Sequence, residues 1–279
     1  MCIRDRTKTA HGEHITSPYV IVEIETDTGL VGFGEATVAP RWSGETRTGC
    51  LAAIDELIAP SILGMDPRQI ESVWQTIDGV IRFNPFTKAA VEMAIWDLAG
   101  KAANLPICTL LGGKIRDKVA VYATGLYYTE GEFPDRLLDE ARSYVEQGFT
   151  GMKTKVGGLS IEEDVARVKA LREAIGPDVS LMIDANEGYN ATTAIRIGKK
   201  LQDLDLVWFE EPVNAQDLEA YLEVKAALPM AIAGGENLRT RYEFKPYLAR
   251  RAYDIVQPDI MHCGGLTEMA RICALANAC

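Results

Sequence analysis

A chain of 279 residues is long enough for one or two domains, and 47% hydrophobic residues allow a large core and argue against disorder. The formal net charge of −11 argues against nucleic acid or an anionic membrane surface as the main partner. No apolar run reaches the ~18 residues of a membrane span, and no charged start with apolar core and small-residue cleavage site marks a signal peptide. Cys2, Cys50, Cys108, Cys263, Cys273 and Cys279 are scattered, with no CxxC pair. That disfavours a zinc site or a disulfide framework and fits reduced thiols in a cytoplasmic protein.

The chain opens on MCIRDR, which has no structural logic of its own, and His11 and His14 follow in a polar stretch that reads as loop. Residues 19–26 (YVIVEIET) alternate apolar and polar side chains, Asp27, Thr28 and Gly29 supply a turn, and 30–35 returns as a second antiparallel strand. Trp42 in APRWSGE is either exposed in a loop or a hydrophobic anchor. Three helices are expected next, over 45–63, 66–81 and 88–103. The second begins on the helix-start pair Asp66 and Pro67, and the third sets Val91, Ile95, Leu98 and Ala102 on one face. LLGG at 110–113 then stops the pattern. Strands followed by helices describe an α+β domain over 1–113.

From Lys118 the pattern becomes βα repetition, which implies a parallel sheet over 114–279. Strands are expected at 119–125, 148–156, 179–185, 206–210, 230–234 and 254–257, with helices such as 161–175 and 192–204 between them. A closed barrel needs eight strands. Six are visible, and the chain stops inside the helix after the sixth. The sheet is therefore either open or part of a longer sequence, and the odd start suggests a piece cut at both ends.

Each expected strand but the first ends on polar residues: Lys153 and Lys155 (KTK), Asp184 and Asn186 (IDAN), Glu210 and Glu211 (WFEEP), Glu236 (GGEN) and Asp259 (QPD). Active sites of parallel barrels lie at that end. Lys153 and Lys155 are two apart and so project to one side of a strand, where two ammonium groups depress each other's pKa and can make one a base. Asp184, Glu210 and Glu236 recur at one βα unit each. Three carboxylates converging from adjacent strands would repel unless a hard divalent cation sat among them, which suits Mg²⁺, with Mn²⁺ the alternative. Glu210 and Glu211 face opposite ways, and spacing does not choose between them. Asp259 is a catalytic group or a strand-end cap in equal measure. His262, in a Cys-Gly-Gly loop, reads as structural. Gly157 and Gly158 belong to no phosphate-loop pattern.

The series KTK, IDAN, WFEEP, GGEN and QPD…GG, in that order and spacing, resembles the enolase superfamily and, within it, the mandelate racemase and muconate lactonizing enzyme group. NPFTKAAVEMAIWDLAGK and LPICTLLGG resemble that group's capping domain, so the likeness spans nearly the whole chain. It implies a TIM-like (β/α)7β barrel, here ending after about six strands, preceded by the capping domain. It also implies Mg²⁺ and an enediolate intermediate. It selects Glu210 as ligand beside Asp184 and Glu236, makes Lys155 the base with Lys153 near the substrate carboxylate, and places Asn186 against substrate. Glu236 with Asp259 resembles the racemase branch, where that Asp supports a His on the next strand. Muconate cycloisomerases usually carry Asp as third ligand and Lys in place of Asp259, yet the capping domain is closer to theirs.

The expected function is Mg²⁺-dependent removal of a proton α to a carboxylate, most simply in an acid-sugar dehydratase. A racemase, epimerase or muconate-type cycloisomerase is the alternative within the superfamily. A lysine Schiff-base aldolase explains a strand-end lysine but not three carboxylates one unit apart, and an inactive metal-binding fragment is the non-enzymatic reading. A small carboxylate substrate is the expected partner, with no nucleic acid and no membrane, and the completed chain is expected to form a homo-oligomer.

Overall fold

The computed structural model describes residues 7–14, 16–131 and 133–279. Cys2 and the MCIRDR start lie outside the described residues. The chain divides into two compact units. One comprises Met1–Thr16, Lys118–Gly235 and Pro246–Gln257, the other Ser17–Asp117, Glu236–Lys245 and Pro258–Cys279.

The polar stretch around His11 is not a loop. β1 (Thr7–Thr9) and β2 (Gly12–His14) pair antiparallel, with Thr9 opposite Gly12. In the second unit the expected hairpin forms from β3 (Tyr19–Glu25) and β4 (Val31–Thr37). After it come α1 (Pro40–Ser43), α2 (Arg47–Ala53), a π-helical turn over Ile54–Ile58 and α3 (Ala59–Ile62). The helix expected over 45–63 thus runs without a gap from Arg47 to Ile62, with one wide turn inside it. Its wide turn ends just ahead of Pro60, which has no N–H for the helical ladder and crowds the carbonyl four residues back.

α4 (Ile70–Val80) starts four residues later than expected, because the Asp66 carboxylate accepts from the backbone N–H and side chain of Arg68 and closes a local turn. α5 (Pro85–Ala103) is buried on almost every side through Gly100, a broader burial than the single expected stripe, while Ala102 is exposed. It lies against β4 so closely that a Cβ on Gly34 would fall 1.8 Å from the Ala90 carbonyl oxygen, and one on Gly32 2.3 Å from that of Ala94. Around this contact Val20, Val22, Ala36, Ile77, Phe86 and Ile95 form the core. α6 (Ile107–Leu110) ends the segment.

The first unit is built on six parallel strands: β5 (Ala123–Thr124), β6 (Gly151–Lys155), β7 (Ser180–Asp184), β8 (Leu206–Glu210), β9 (Ala231–Gly234) and β10 (Ile255–Val256). Spatial order equals sequence order, as βα repetition requires. β5 is shorter than the expected 119–125. It sits at the end of the sheet and pairs only Ala123 and Thr124, while Val119 and Val121 are exposed. α7 (Asp135–Glu146), α8 (Ile161–Ile175), α9 (Ala191–Leu201), α10 (Leu218–Ala227) and α11 (Thr240–Ala249) alternate with the strands, and α12 (Leu266–Ala278) follows β10. α8 starts on a capping box in which Ser160 and Glu163 exchange hydrogen bonds. No helix among the described residues is long and apolar enough to cross a membrane.

Candidate active site

Every residue of β6 is buried. Lys153 and Lys155 project to one side of it, each only 7% exposed. The ladder register pairs Lys155 with Asp184 and Asp184 with Glu210, so three charged side chains stand in one row across β6, β7 and β8. Lys153 Nζ donates to Glu210 Oε1 at 2.7 Å and lies 3.3 Å from Asp184 Oδ2. Lys155 Nζ donates to Asp184 Oδ2 at 2.5 Å. Two buried cations and two buried anions thus neutralise one another, which is how buried charge is tolerated.

The electrostatics correct one expectation. Mutual depression of the two lysines does not govern Lys153. Burial pushes its pKa down, but the Asp184 and Glu210 carboxylates outweigh burial and hold it above the ordinary lysine value. For Asp184, burial pushes upward, and Lys155 and then Lys153 reverse it, so the carboxyl is held below its ordinary value.

Neighbouring groups fix the carboxylates. Asp184 Oδ1 accepts from the backbone N–H of Asn186 at 2.8 Å, and the Asn186 amide reaches Oδ2 at 3.4 Å. Glu210 Oε2 accepts from the Trp208 indole N–H and from Gln257 Nε2, each at 3.0 Å. The Tyr122 ring stacks edge-on with Trp208 and lies 5.7 Å from Lys153 Nζ, while the Tyr127 ring lies 5.6 Å from Lys155 Nζ. Trp208, Gln257, Tyr122 and Tyr127 escaped the sequence reading. Two signals were available: Trp208 stands two residues before Glu210 on one strand, hence on its face, and Gln257 closes the sixth strand.

Glu210 and Glu211, which spacing did not separate, have different surroundings. Glu210 faces the lysines. Glu211 is fully buried and its charge acts on the Tyr221 and Tyr253 phenols instead.

Glu236 and Asp259 belong to the second unit. Glu236 is half-buried two residues past β9, and its carbonyl oxygen lies 2.9 Å from His262 Nδ1. Asp259 Oδ1 accepts from the backbone N–H groups of Met261 and His262 at 2.9 and 2.8 Å, the strand-end capping geometry that the sequence set beside a catalytic role. Burial raises the Asp259 pKa against those two bonds. His262 is buried between the Trp42 and Phe86 rings, so Trp42 is an anchor. Burial first, and then the Arg239 charge, push His262 down to about 4. It is a neutral structural imidazole whose Nδ1–H donates to Glu236.

Among the described residues, no three His, Cys, Asp or Glu side chains are drawn together as a ready metal cage. Asp184 and Glu210 close instead on a lysine ammonium, which stands in for a cation between two hard oxygen donors. That donor set fits Mg²⁺.

Comparison with known proteins identifies the family. The family model described as mandelate racemase / muconate lactonizing enzyme, N-terminal domain, matches residues 2–112, and the model described as enolase C-terminal domain-like matches 136–279. The chain belongs to this enolase-superfamily family and is an enzyme of it. It is 39% identical over 268 residues to D-galactarolactone cycloisomerase of Agrobacterium fabrum, covering 93% of this chain and 68% of that protein. It is 39% identical to arabinonate dehydratase of Saccharolobus solfataricus, covering 92% of this chain and 69% of that protein. The solved dipeptide epimerase of Enterococcus faecalis, complexed with Mg and L-Leu-L-Tyr, superposes with a TM-score of 0.91 at 33% identity, covering 98% of this chain and 75% of that chain.

Proposed function

We propose that this enzyme removes the proton α to the carboxylate of a small polyhydroxy acid and then expels a β-hydroxyl, as an acid-sugar dehydratase. The observation that carries the reading is the row of Lys155, Asp184 and Glu210 on three adjacent strands, closed by Lys153. Asp184, Glu210 and Glu236 would hold Mg²⁺, which supplies positive charge against the charge that develops on the substrate carboxylate. Lys153 stays protonated, because Asp184 and Glu210 hold its pKa up, and its ammonium adds to that stabilisation. Lys155 accepts the proton as the neutral amine, having first released one ammonium proton to solvent, since only a free lone pair can take one. Asn186 contacts substrate, and Asp259 supports the groups beside it. The arabinonate dehydratase likeness favours dehydration, and the cycloisomerase and epimerase likenesses keep isomerisation as the second reading.

The test incubates the protein with Mg²⁺ and a panel of hexonates, hexarates and pentonates in D₂O. Formation of 2-keto-3-deoxy products is expected, and Lys155→Ala should lose ~10²–10⁴-fold in α-proton exchange, the usual contribution of a positioned base. Exchange that persists unchanged in Lys155→Ala removes that residue from the mechanism. Exchange on dipeptides alone moves the assignment to an epimerase.

A further inference from the structure

Gln257 is one residue beyond β10. Its backbone N–H donates to the Gly234 carbonyl at 2.9 Å, so its main chain is fixed in the parallel ladder. The register pairs Ile255 with Ala233 and Val256 with Gly234, and Ala233 in turn with Glu210. Side chains alternate faces along a strand. Gln257 therefore shares the face of Ile255, Ala233 and Glu210, and the side chain of β9 between Gln257 and Glu210 on that face is only the Ala233 methyl. The amide crosses over that methyl to place Nε2 3.0 Å from Glu210 Oε2. Only the amide nitrogen can face a carboxylate, because two acceptors repel, so the carbonyl oxygen is the atom left over. That Oε1 is buried and has no hydrogen-bond donor among the described residues. Buried acceptors are normally paired. An unpaired acceptor on the same amide that holds Glu210 suits a donor that arrives with a ligand.

We propose that Gln257 is a two-sided positioning residue. Its NH₂ and the Trp208 indole hold Glu210 Oε2, which leaves Oε1 turned toward the cation position now taken by Lys153. Its carbonyl oxygen accepts an O–H from the bound species, either a substrate hydroxyl or a water carried by the metal ion. The inference rests on the metal-assisted reading above and names residues beyond it.

The experiment titrates Mg²⁺ alone into the 279-residue protein by calorimetry, then D-galactonate and hexanoate separately at saturating Mg²⁺. Wild type is compared with Gln257→Met, which keeps the reach but has neither donor nor acceptor, and Gln257→Glu, which keeps an acceptor and loses the donor. Thermal melts establish that each variant is folded. Loss of one hydrogen bond to a charged group predicts about tenfold weaker Mg²⁺ binding in Gln257→Met, whereas Gln257→Glu also adds a negative charge that attracts the ion and should lose less. D-galactonate affinity should fall further in Gln257→Met, with hexanoate unaffected, if the accepted O–H is the substrate's. A loss for Mg²⁺ in Gln257→Met with none specific to D-galactonate assigns it to water on the ion. Mg²⁺ and D-galactonate isotherms of Gln257→Met that superimpose on wild type overturn the proposal. A wild type that binds no Mg²⁺, yet binds D-galactonate with a loss specific to Gln257→Met, would reject the metal reading and leave the acceptor role standing.

Discussion

Replacing Glu92, in the middle of α5, should destabilise the second unit through a helix that starts 174 residues later in the chain. Glu92 is 1% exposed. Its Oε2 accepts from the N–H of Leu266 at 2.8 Å, and its Oε1 from the N–H and hydroxyl of Thr267 and the Trp96 indole. Leu266 and Thr267 open α12, so these are N–H groups with no partner inside the helix. Gly265 precedes them without a capping side chain, and a Cβ there would meet Glu92 Oε2 at 2.2 Å. In Glu92→Ala the cap is lost, worth ~1 kcal/mol. A further buried donor is left unsatisfied, at ~1–3 kcal/mol. Relief of the buried charge offsets part of this, so a net loss of about 2 kcal/mol is expected. Glu92→Gln keeps the shape but turns an NH₂ toward one set of donors, for about 1–2 kcal/mol. The pH dependence has a definite sign. Burial raises the Glu92 pKa against its four hydrogen bonds. The folded state therefore binds more protons than the unfolded one between the ordinary and the raised value, and stability from this group falls as pH rises through that window. The cost of Glu92→Gln, which cannot titrate, should be larger at acid pH than at pH 7. Urea titrations followed by far-UV circular dichroism, at several pH values, measure both quantities. A Glu92→Ala loss under 1 kcal/mol, or a Glu92→Gln cost that grows with rising pH, would refute the capping argument.

His262 predicts the opposite slope. Its pKa falls from 6.5 to about 4 on folding, so stability present above pH 6.5 is lost as pH falls toward 4, by about 3 kcal/mol at ~1.4 kcal/mol per unit; His262→Gln should flatten that limb in melts across the range. Gly34→Ala should cost ~3 kcal/mol or more, because its Cβ would stand 1.8 Å from the Ala90 carbonyl and push β4 off α5; a melting temperature within 2 °C of wild type would contradict the close approach.

What was legible in the sequence followed from local rules. The β3–β4 hairpin and α8 carry turn and capping signals within their own residues, and both formed as read. The charged tips of β6, β7 and β8 were visible because an apolar strand has no folding use for them. What was not legible depended on partners far away in sequence. Glu45 stands at the start of the helix expected over 45–63, yet it accepts from the backbone N–H groups of Phe86 and Thr87 at 2.8 and 3.0 Å and caps α5. Glu92 reads as a polar helix position and caps α12. For Lys153 the expected depression failed because the like-charge pair was weighed without the carboxylates that the register brings beside it. β1 and β2 were missed because three-residue strands carry no periodicity to read.

The site's charge pattern links those outcomes to function. Across β6, β7 and β8 the charges pair as Lys153 with Glu210 and Lys155 with Asp184, two positive and two negative in a buried space. A closed set of this kind is neutral, and it is weak evidence for stability, because desolvating four ions offsets much of the attraction among them. Apolar residues of the same volume would hold the strands together at least as well. What the four ions provide is exchangeability. Each carboxylate keeps one oxygen on fixed donors, Oδ1 of Asp184 on the Asn186 N–H and Oε2 of Glu210 on Trp208 and Gln257, while the short contacts of Oδ2 and Oε1 are to ammonium groups on flexible stems, with the Asn186 amide at 3.4 Å the further donor to Oδ2. On the proposed metal-assisted reading, those two oxygens would hold the dication, and Lys153 and Lys155, on one face of β6, would be left to meet the substrate carboxylate and its α-proton.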